Sequence, residues 1–242
     1  MAARKIQSKK ALLVLDFDGT LVPIRRNPKK VRLPLFMARA LRNAWRNGLD
    51  MTVLSGRPPS FLRRAGFGFP IRLIGHFGNT HPAGTIRWKN ESALHSILER
   101  LRKIPGVRIE KKTGWAVHFR QVRPARRPAV LRLICSLGSA AGPTARLVPG
   151  RLSCELLPPG SRTKADALGI LLRRHPARRI VFIGDDPADL EAMRRWRHHP
   201  RFEAFLLHSP EVSSGGWPPR LADRRALAGF IRAFASHPEG PS

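Results

Sequence analysis

The chain has 242 residues, 42% of them hydrophobic, enough for one large globular domain or a core domain carrying a smaller insert. No apolar run nears the ~20 residues that a membrane span needs. Two cysteines, Cys135 and Cys154, are too few for a disulfide framework and lack metal-ligand spacing.

The 45 Lys and Arg against 16 Asp and Glu leave a formal charge of +29. The basic residues are spread through every segment, with no run of about five or more like charges. Such a surface attracts phosphorylated ligands and polyanions in general, and no specific nucleic-acid partner is expected. The scarce acids say more. Asp16, Asp18, Asp185, Asp186 and Asp189 fall in two short segments, each after an apolar run. That concentration favours a cation site over a solvated face. Residues 1–10 are basic, but only about five apolar residues follow, short of the ~7–15 of a secretory segment. They read as a tail, with the reducing cytoplasm as the expected location.

Residues 11–15 are five apolar residues in a row, the pattern of a strand buried on both faces of a parallel sheet. Asp16-Phe17-Asp18-Gly19-Thr20 follows at the strand end. Residues i and i+2 of an extended segment point the same way, so Asp16 and Asp18 can face one small volume. Like charges that close need a cation or a shared proton between them; a solvated turn is the plainer alternative. A helix is expected over 35–46 with Gly48 as its stop, then a strand over 50–54. Ser55-Gly56-Arg57 before Pro58-Pro59 reads either as a phosphate seat or as an ordinary strand-to-helix turn. A third strand, 71–74, opens into Gly75-His76-Phe77-Gly78-Asn79.

The pattern then changes. A helix over 91–103, alternating strands over 107–112 and 115–120 joined by Thr113-Gly114, a helix over 125–137 and strands near 145–148 and 152–156 suggest a small antiparallel sheet with helices on one side. Glu110, Lys112, Arg120 and Glu155 can share one face of it, as paired surface charges or as groups that read hydroxyls. From Pro158 the βα rhythm returns. Lys164 opens a helix over 165–174, a strand spans 179–183, and Gly184-Asp185-Asp186-Pro187 closes it. A helix over 188–195, a strand over 204–207, a helix over 221–235 and a disordered end complete the chain. His198-His199 reads as surface. The expected organisation is a tail (1–10), a core in two parts (11–84 and 158–236), an inserted cap (85–157) and a second tail (237–242).

Open parallel α/β sheets bind ligands beyond the carboxyl ends of their strands. Asp16/Asp18, Ser55 and Asp185/Asp186 occupy such ends, and Lys164 can point into the same crevice. Hard oxygen donors without a His or Cys cluster suggest Mg2+. One carboxylate can attack phosphorus, a second can serve as acid and base, and Lys164 can offset charge on the transferring group. Pro159-Gly160-Ser161-Arg162-Thr163-Lys164 lacks the spacing of a nucleotide-binding Gly-rich loop.

These four motifs resemble those of haloacid dehalogenase-like phosphatases. Ile109-Glu110-Lys111-Lys112, Ala116-Val117-His118-Phe119-Arg120 and Ser153-Cys154-Glu155-Leu156 are similar to the cap of the trehalose-phosphate phosphatase family. The resemblance spans about residues 10–236. It implies a Rossmann-like doubly wound parallel core with an inserted α+β open-faced sandwich cap, and Mg2+-dependent hydrolysis of trehalose 6-phosphate. Asp16 would be the nucleophile and Asp18 the acid/base, with Asp16, Asp18 (through its backbone carbonyl), Asp185 and Asp186 around the metal. Ser55, Gly56 and Lys164 would hold phosphate, and Glu110, Lys112, Arg120 and Glu155 the sugar. Functional coupling to a synthase is a further expectation; a membrane partner is not. Ala188-Asp189-Leu190-Glu191, Gln121 and Asn79-Thr80 depart from the family pattern. The alternatives are a phosphatase of sucrose phosphate or mannosyl-3-phosphoglycerate, and an inactive basic binding protein on the same scaffold.

Overall fold

Strand β1 (Ala11–Leu15) is buried along its whole length, and its alternation divides the core around it in two. Leu13, Leu15 and the following Phe17 face one apolar cluster; Leu12 and Val14 face another. The structure is a computed structural model that describes residues 11–25, 31–79, 88–111, 114–150, 152–210, 212–213 and 215–236. The expected tails, Lys112, Thr113 and the expected boundary at 84/85 lie outside the described residues.

Two compact units emerge, one built from residues up to Gly78 together with those from Lys164 onward, the other from Asn79–Thr163. In the first, β1 pairs in parallel with β2 (Asp50–Leu54) on one side and β8 (Arg179–Gly184) on the other. With β3 (Arg72–Ile74), β9 (Phe202–Leu207) and β10 (Arg220–Leu221) the sheet runs β10-β9-β8-β1-β2-β3, parallel throughout. Helices α1 (Leu35–Arg46) and α7 (Arg224–Ser236) bury apolar faces on the first cluster, and α5 (Lys164–Arg174) and α6 (Pro187–Trp196) on the second. A short helix, α2 (Pro59–Arg63), follows β2. The chain order reverses direction at β1, so the crevice between β1 and β8 at their carboxyl ends is where such a fold places a ligand.

The second unit has an antiparallel sheet in the order β4-β5-β7-β6, made from β4 (Arg108–Lys111), β5 (Trp115–His118), β6 (Arg146–Gly150) and β7 (Ser153–Leu157). Ile109, Val117 and Cys154 lie on the face that packs against α3 (Glu91–Arg102) and α4 (Arg127–Ala141). The period of two then sends Glu110, Ala116 and Glu155, which are register partners in sequence across β4, β5 and β7, to the other face. Asn79 and Arg162 close the two ends of this unit by a reciprocal pair: Asn79 Nδ2 donates to Arg162 O (2.9 Å) and Arg162 N to Asn79 Oδ1 (2.7 Å).

Some element limits differ from expectation. Helix α4 begins at Arg127 because Pro124–Arg126 forms a separate 3-10 turn, and it continues to Ala141 because Leu137 and Ala141 stack one turn apart in the core. Gly142, at φ +101, ends it. The last helix starts at Arg224, not 221, since Arg220–Leu221 pairs with β9 and Asp223 accepts the amides of Arg225 (2.7 Å) and Ala226 (2.8 Å) as an N-cap.

Candidate active site

Register brings the chemistry together. Leu15 lies beside Ile183, and Asp16 N donates to Ile183 O at 2.9 Å, so Asp16 emerges next to the Gly184-Asp185 turn. On the other side Leu15 pairs with Val53, which places Ser55 beyond the end of the neighbouring strand. Asp16, Ser55, Lys164, Asp185 and Asp189 are all buried.

Lys164, the first residue of α5, donates to Asp16 Oδ1 at 2.8 Å and to Asp189 Oδ1 at 2.6 Å, with Asp186 Oδ1 at 3.8 Å. Asp189 is held in turn: its Oδ2 accepts the amides of Asp185 (3.0 Å) and Asp186 (3.1 Å). Asp186 caps α6 by accepting Asp189 N at 2.8 Å, which completes a reciprocal capping box. The Asp185 side chain is oriented by Thr20, whose Oγ1 donates to Asp185 Oδ1 at 2.9 Å. Gly19 has φ +95, and a Cβ there would meet Asp185 Oδ2 at 2.0 Å. Glycine is therefore required on both grounds, backbone conformation and space.

Asp18 behaves differently from Asp16. Arg57 grips it with two bonds, Nε to Oδ2 and Nη2 to Oδ1, both 2.7 Å, a fork matched to a carboxylate. The Ser55 hydroxyl accepts Arg57 N at 3.1 Å. The loop after β3 braces this turn: His76 N donates to Arg57 O (3.0 Å) and Phe77 N to Ser55 O (3.1 Å). His76 (φ +50) and Phe77 (φ +53) both adopt left-handed backbone to do so, a strain that persists only where surrounding contacts fix it. Gly56 sits half-buried between Ser55 and Arg57.

The electrostatics are unbalanced. Asp16, Asp185, Asp186 and Asp189 crowd around one ammonium. Burial is the main force pushing the Asp16 carboxyl up to about 7; Lys164 opposes it, and Asp185 and Asp186 add to it. Burial likewise lifts Asp186 to about 7, with Asp189 beside it, although about 20% of its side chain meets solvent. Asp189 rises to about 6, again by burial. For Lys164, burial alone would pull the ammonium down; Asp16, Asp186 and Asp189 overcome it and hold it well above its ordinary range. Four carboxylates with one buried cation are a surplus that a divalent ion would neutralise.

Geometry agrees. Carboxylate oxygens of Asp16, Asp185 and Asp189 lie within 4.8 Å of one another, close enough for hard oxygen donors around a small divalent ion. Both Asp189 oxygens are already committed, to Lys164 and to two amides, so Asp16 and Asp185 are the side chains available to a metal.

Of the residues singled out from sequence, Asp16, Lys164, Asp185 and Asp186 come together here. The Asp18 carboxylate is held by Arg57, and Ser55 and Gly56 stand at the adjoining strand end. Glu110 and Glu155 share a sheet face in the second unit; Arg120 follows that sheet's β5, and Lys112 lies outside the described residues. Glu110 is anchored by Arg108 at 2.8 Å, with His118 Nε2 at 3.5 Å. Three pairings escape the sequence reading: Arg57 with Asp18, Thr20 with Asp185, and Asp189, which the sequence groups only with the acids of a cation site, with Lys164. Asp189 left one signal, its three-residue spacing from Asp186, which is that of a capping box.

The fold is shared with solved structures that include the sucrose-phosphatase of Synechocystis (TM-score 0.61, 17% identity) and a sugar phosphatase of HAD subclass IIB (TM-score 0.56, 14% identity), covering 94% and 93% of this chain and 98% of each of those. The trehalose-phosphatase family profile matches residues 14–216, and the chain belongs to that family. A probable trehalose-phosphate phosphatase of Sinorhizobium fredii is 29% identical, over 92% of this chain and 87% of that protein. An uncharacterized glycosyl hydrolase of Mycobacterium tuberculosis is 30% identical over 78% of this chain, which spans only 15% of that longer protein. Among solved structures, the C-terminal domain of C. albicans trehalose-6-phosphate phosphatase superposes with a TM-score of 0.76 at 16% identity, covering 94% of this chain and 93% of that one. Among the described residues no helix is long and apolar enough to cross a membrane.

Proposed function

We propose that the protein hydrolyses trehalose 6-phosphate to trehalose and inorganic phosphate in a Mg2+-dependent reaction. The observation that carries this reading is the buried Asp16 carboxylate, held by Lys164 at 2.8 Å and set at the mouth of the crevice between β1 and β8.

Asp16 acts as the nucleophile. One of its oxygens attacks phosphorus, the bond from phosphorus to the sugar oxygen breaks, and Asp18, which takes up a proton from solvent as it leaves the Arg57 fork, gives that oxygen the proton. Asp18 then takes a proton from water, which attacks the aspartyl-phosphate, breaks its bond to Asp16 and releases phosphate. Arg57 fixes where Asp18 waits, and Asp18 must loosen that fork to reach the leaving group. Lys164, with Ser55 and the turn at Gly56, binds phosphoryl oxygens; because Asp189 holds Lys164, its ammonium is aimed before substrate arrives. Asp16 and Asp185, with the Asp18 backbone carbonyl and Asp186 in support, are the groups that would hold Mg2+. Bound there, the ion would neutralise charge at the phosphoryl oxygens and would favour the ionised form of Asp16 at neutral pH.

Glu110, Lys112, Arg120 and Glu155 contact sugar hydroxyls in this reading, and the unit that carries them is the cap. Family membership and the shared sheet face of Glu110 and Glu155 support it. A cytoplasmic setting and functional coupling to a trehalose-phosphate synthase belong to the same proposal. The test is phosphate release over a panel of sugar phosphates with and without Mg2+. Selective turnover of trehalose 6-phosphate, lost on chelation, is expected. Preference for sucrose phosphate or mannosyl-3-phosphoglycerate would transfer the assignment to another sugar phosphate, and no turnover at all would favour an inactive scaffold.

A further inference from the structure

The carboxyl ends of the core strands carry acids; their opposite ends carry guanidinium groups. Strand β3 opens on Arg72 and β8 on Arg179, while Arg178 and Arg201 directly precede β8 and β9. Helix α5 ends at Arg173 and Arg174, and its C-terminus is tied to this same edge. Arg201 donates to the carbonyls of Leu172 (3.3 Å), His175 (2.8 Å) and Arg178 (3.2 Å). His175 Nε2 in turn lies 3.1 Å from Arg72 Nη1. Charges that look scattered along the sequence are thus gathered by topology into one row.

The edge spans β9, β8, β1, β2 and β3, four inter-strand spacings or about 19 Å, and its described arginines stand at the β9, β8 and β3 positions and at the end of α5. That span matches about five or six phosphates of one nucleic-acid strand at ~3.4 Å each. Two acids stand in the row, Asp50 and Glu203, and they pair with Arg178 and Arg179. Arg72, Arg173 and Arg174 are exposed. Burial, then Arg178, Arg72 and Arg174, hold the His175 imidazole below its usual range against the pull of Asp50. The exposed large apolar side chains, Leu35, Phe36 and Leu131, lie elsewhere, so among the described residues the edge offers no apolar wedge for a lipid surface. Guanidinium forks instead match phosphate.

We propose that this edge binds the phosphate backbone of a nucleic acid without reading its sequence, one strand length (about 16–20 Å) from the carboxylate site. Polyanion and sugar phosphate would then occupy opposite ends of the sheet and not compete.

Fluorescence anisotropy with labelled 20-base-pair DNA duplexes of two unrelated sequences, titrated over a range of NaCl concentrations, tests this. The triple variant Arg72→Gln, Arg173→Gln, Arg174→Gln is compared with a control of equal charge change in the other unit, Arg100→Gln, Arg123→Gln, Arg132→Gln. Expected for the edge variant is a loss of at least about tenfold in affinity and a salt slope shallower by about 2–3, since each neutralised phosphate contributes ~0.9. The control should lose less than a third as much, both duplexes should bind alike, and duplex should leave phosphate release unchanged. Similar losses in both variants would overturn the proposal in favour of diffuse charge. Absence of salt-dependent binding, or preference for phosphatidylserine vesicles over duplex, would overturn it outright. The anisotropy readouts are independent of the enzymatic assignment.

Discussion

Arg57 and Asp18, 39 residues apart in sequence, are joined by two hydrogen bonds of 2.7 Å each. The fork holds the carboxylate assigned to proton transfer away from the Lys164 cluster that holds Asp16. Replacing Arg57 with Ala frees Asp18 to take many rotamers. The expected result is a fall in kcat of about 10- to 100-fold with a smaller change in KM, since positioning is lost while the phosphate-binding groups remain. The pH–rate profile should shift as well. Steady-state kinetics across pH checks this, with Arg57→Lys restoring little because a single ammonium cannot form the fork.

Asp189 contributes differently. It anchors Lys164 and satisfies the amides of Asp185 and Asp186. Asp189→Asn removes the charge and one acceptor while keeping the shape. A stability loss of about 1–3 kcal/mol is expected from the unmatched buried groups, together with a drop in kcat/KM of at least about tenfold as Lys164 loses its aim. Thermal melting and kinetics on the same sample separate the two effects.

The buried carboxylates also set a pH dependence for the metal-free protein. Asp16, Asp186 and Asp189 are all raised, to about 7, 7 and 6. A raised carboxyl binds more protons folded than unfolded, so stability falls as pH climbs from the unfolded value near 4 through the folded one. Melting temperature in EDTA should therefore be higher near pH 5 than near pH 8. Added Mg2+ should recover stability chiefly at the upper end of that range. A flat profile in EDTA would mean that the carboxylate surplus is relieved some other way.

In the second unit, Glu110→Ala should lower kcat/KM for trehalose 6-phosphate by about 10- to 100-fold, the scale of a lost charge-assisted hydrogen bond to a hydroxyl. Hydrolysis of a small phosphoester such as p-nitrophenyl phosphate should change by less than about threefold. Equal losses on both substrates would remove Glu110 from sugar recognition.

What the sequence reveals of this molecule follows from what is local. The two aspartate pairs, Ser55 and Lys164 stand beside apolar strands or helix starts, and hydrophobic period alone places them at one end of a parallel sheet. Arg57 as the partner of Asp18, and Thr20 as the partner of Asp185, depend on contacts across 39 and 165 residues, which no local pattern encodes. The two-residue strand β10 is too short to show a period of two. The insertion of β7 between β5 and β6 is a pairing choice that alternating residues leave open. The guanidinium row is likewise invisible in a chain where every segment is basic, because only strand direction sorts it to one edge.

The most direct measurement is phosphate release from trehalose 6-phosphate by Asp16→Asn beside the wild type, with Mg2+ present and folding verified by circular dichroism. Loss of the nucleophile should reduce kcat by at least about 10⁴-fold, as when a covalent route is closed. Turnover within tenfold of wild type would contradict an attack by Asp16 and, with it, the assignment of the buried carboxylate cluster as the catalytic centre.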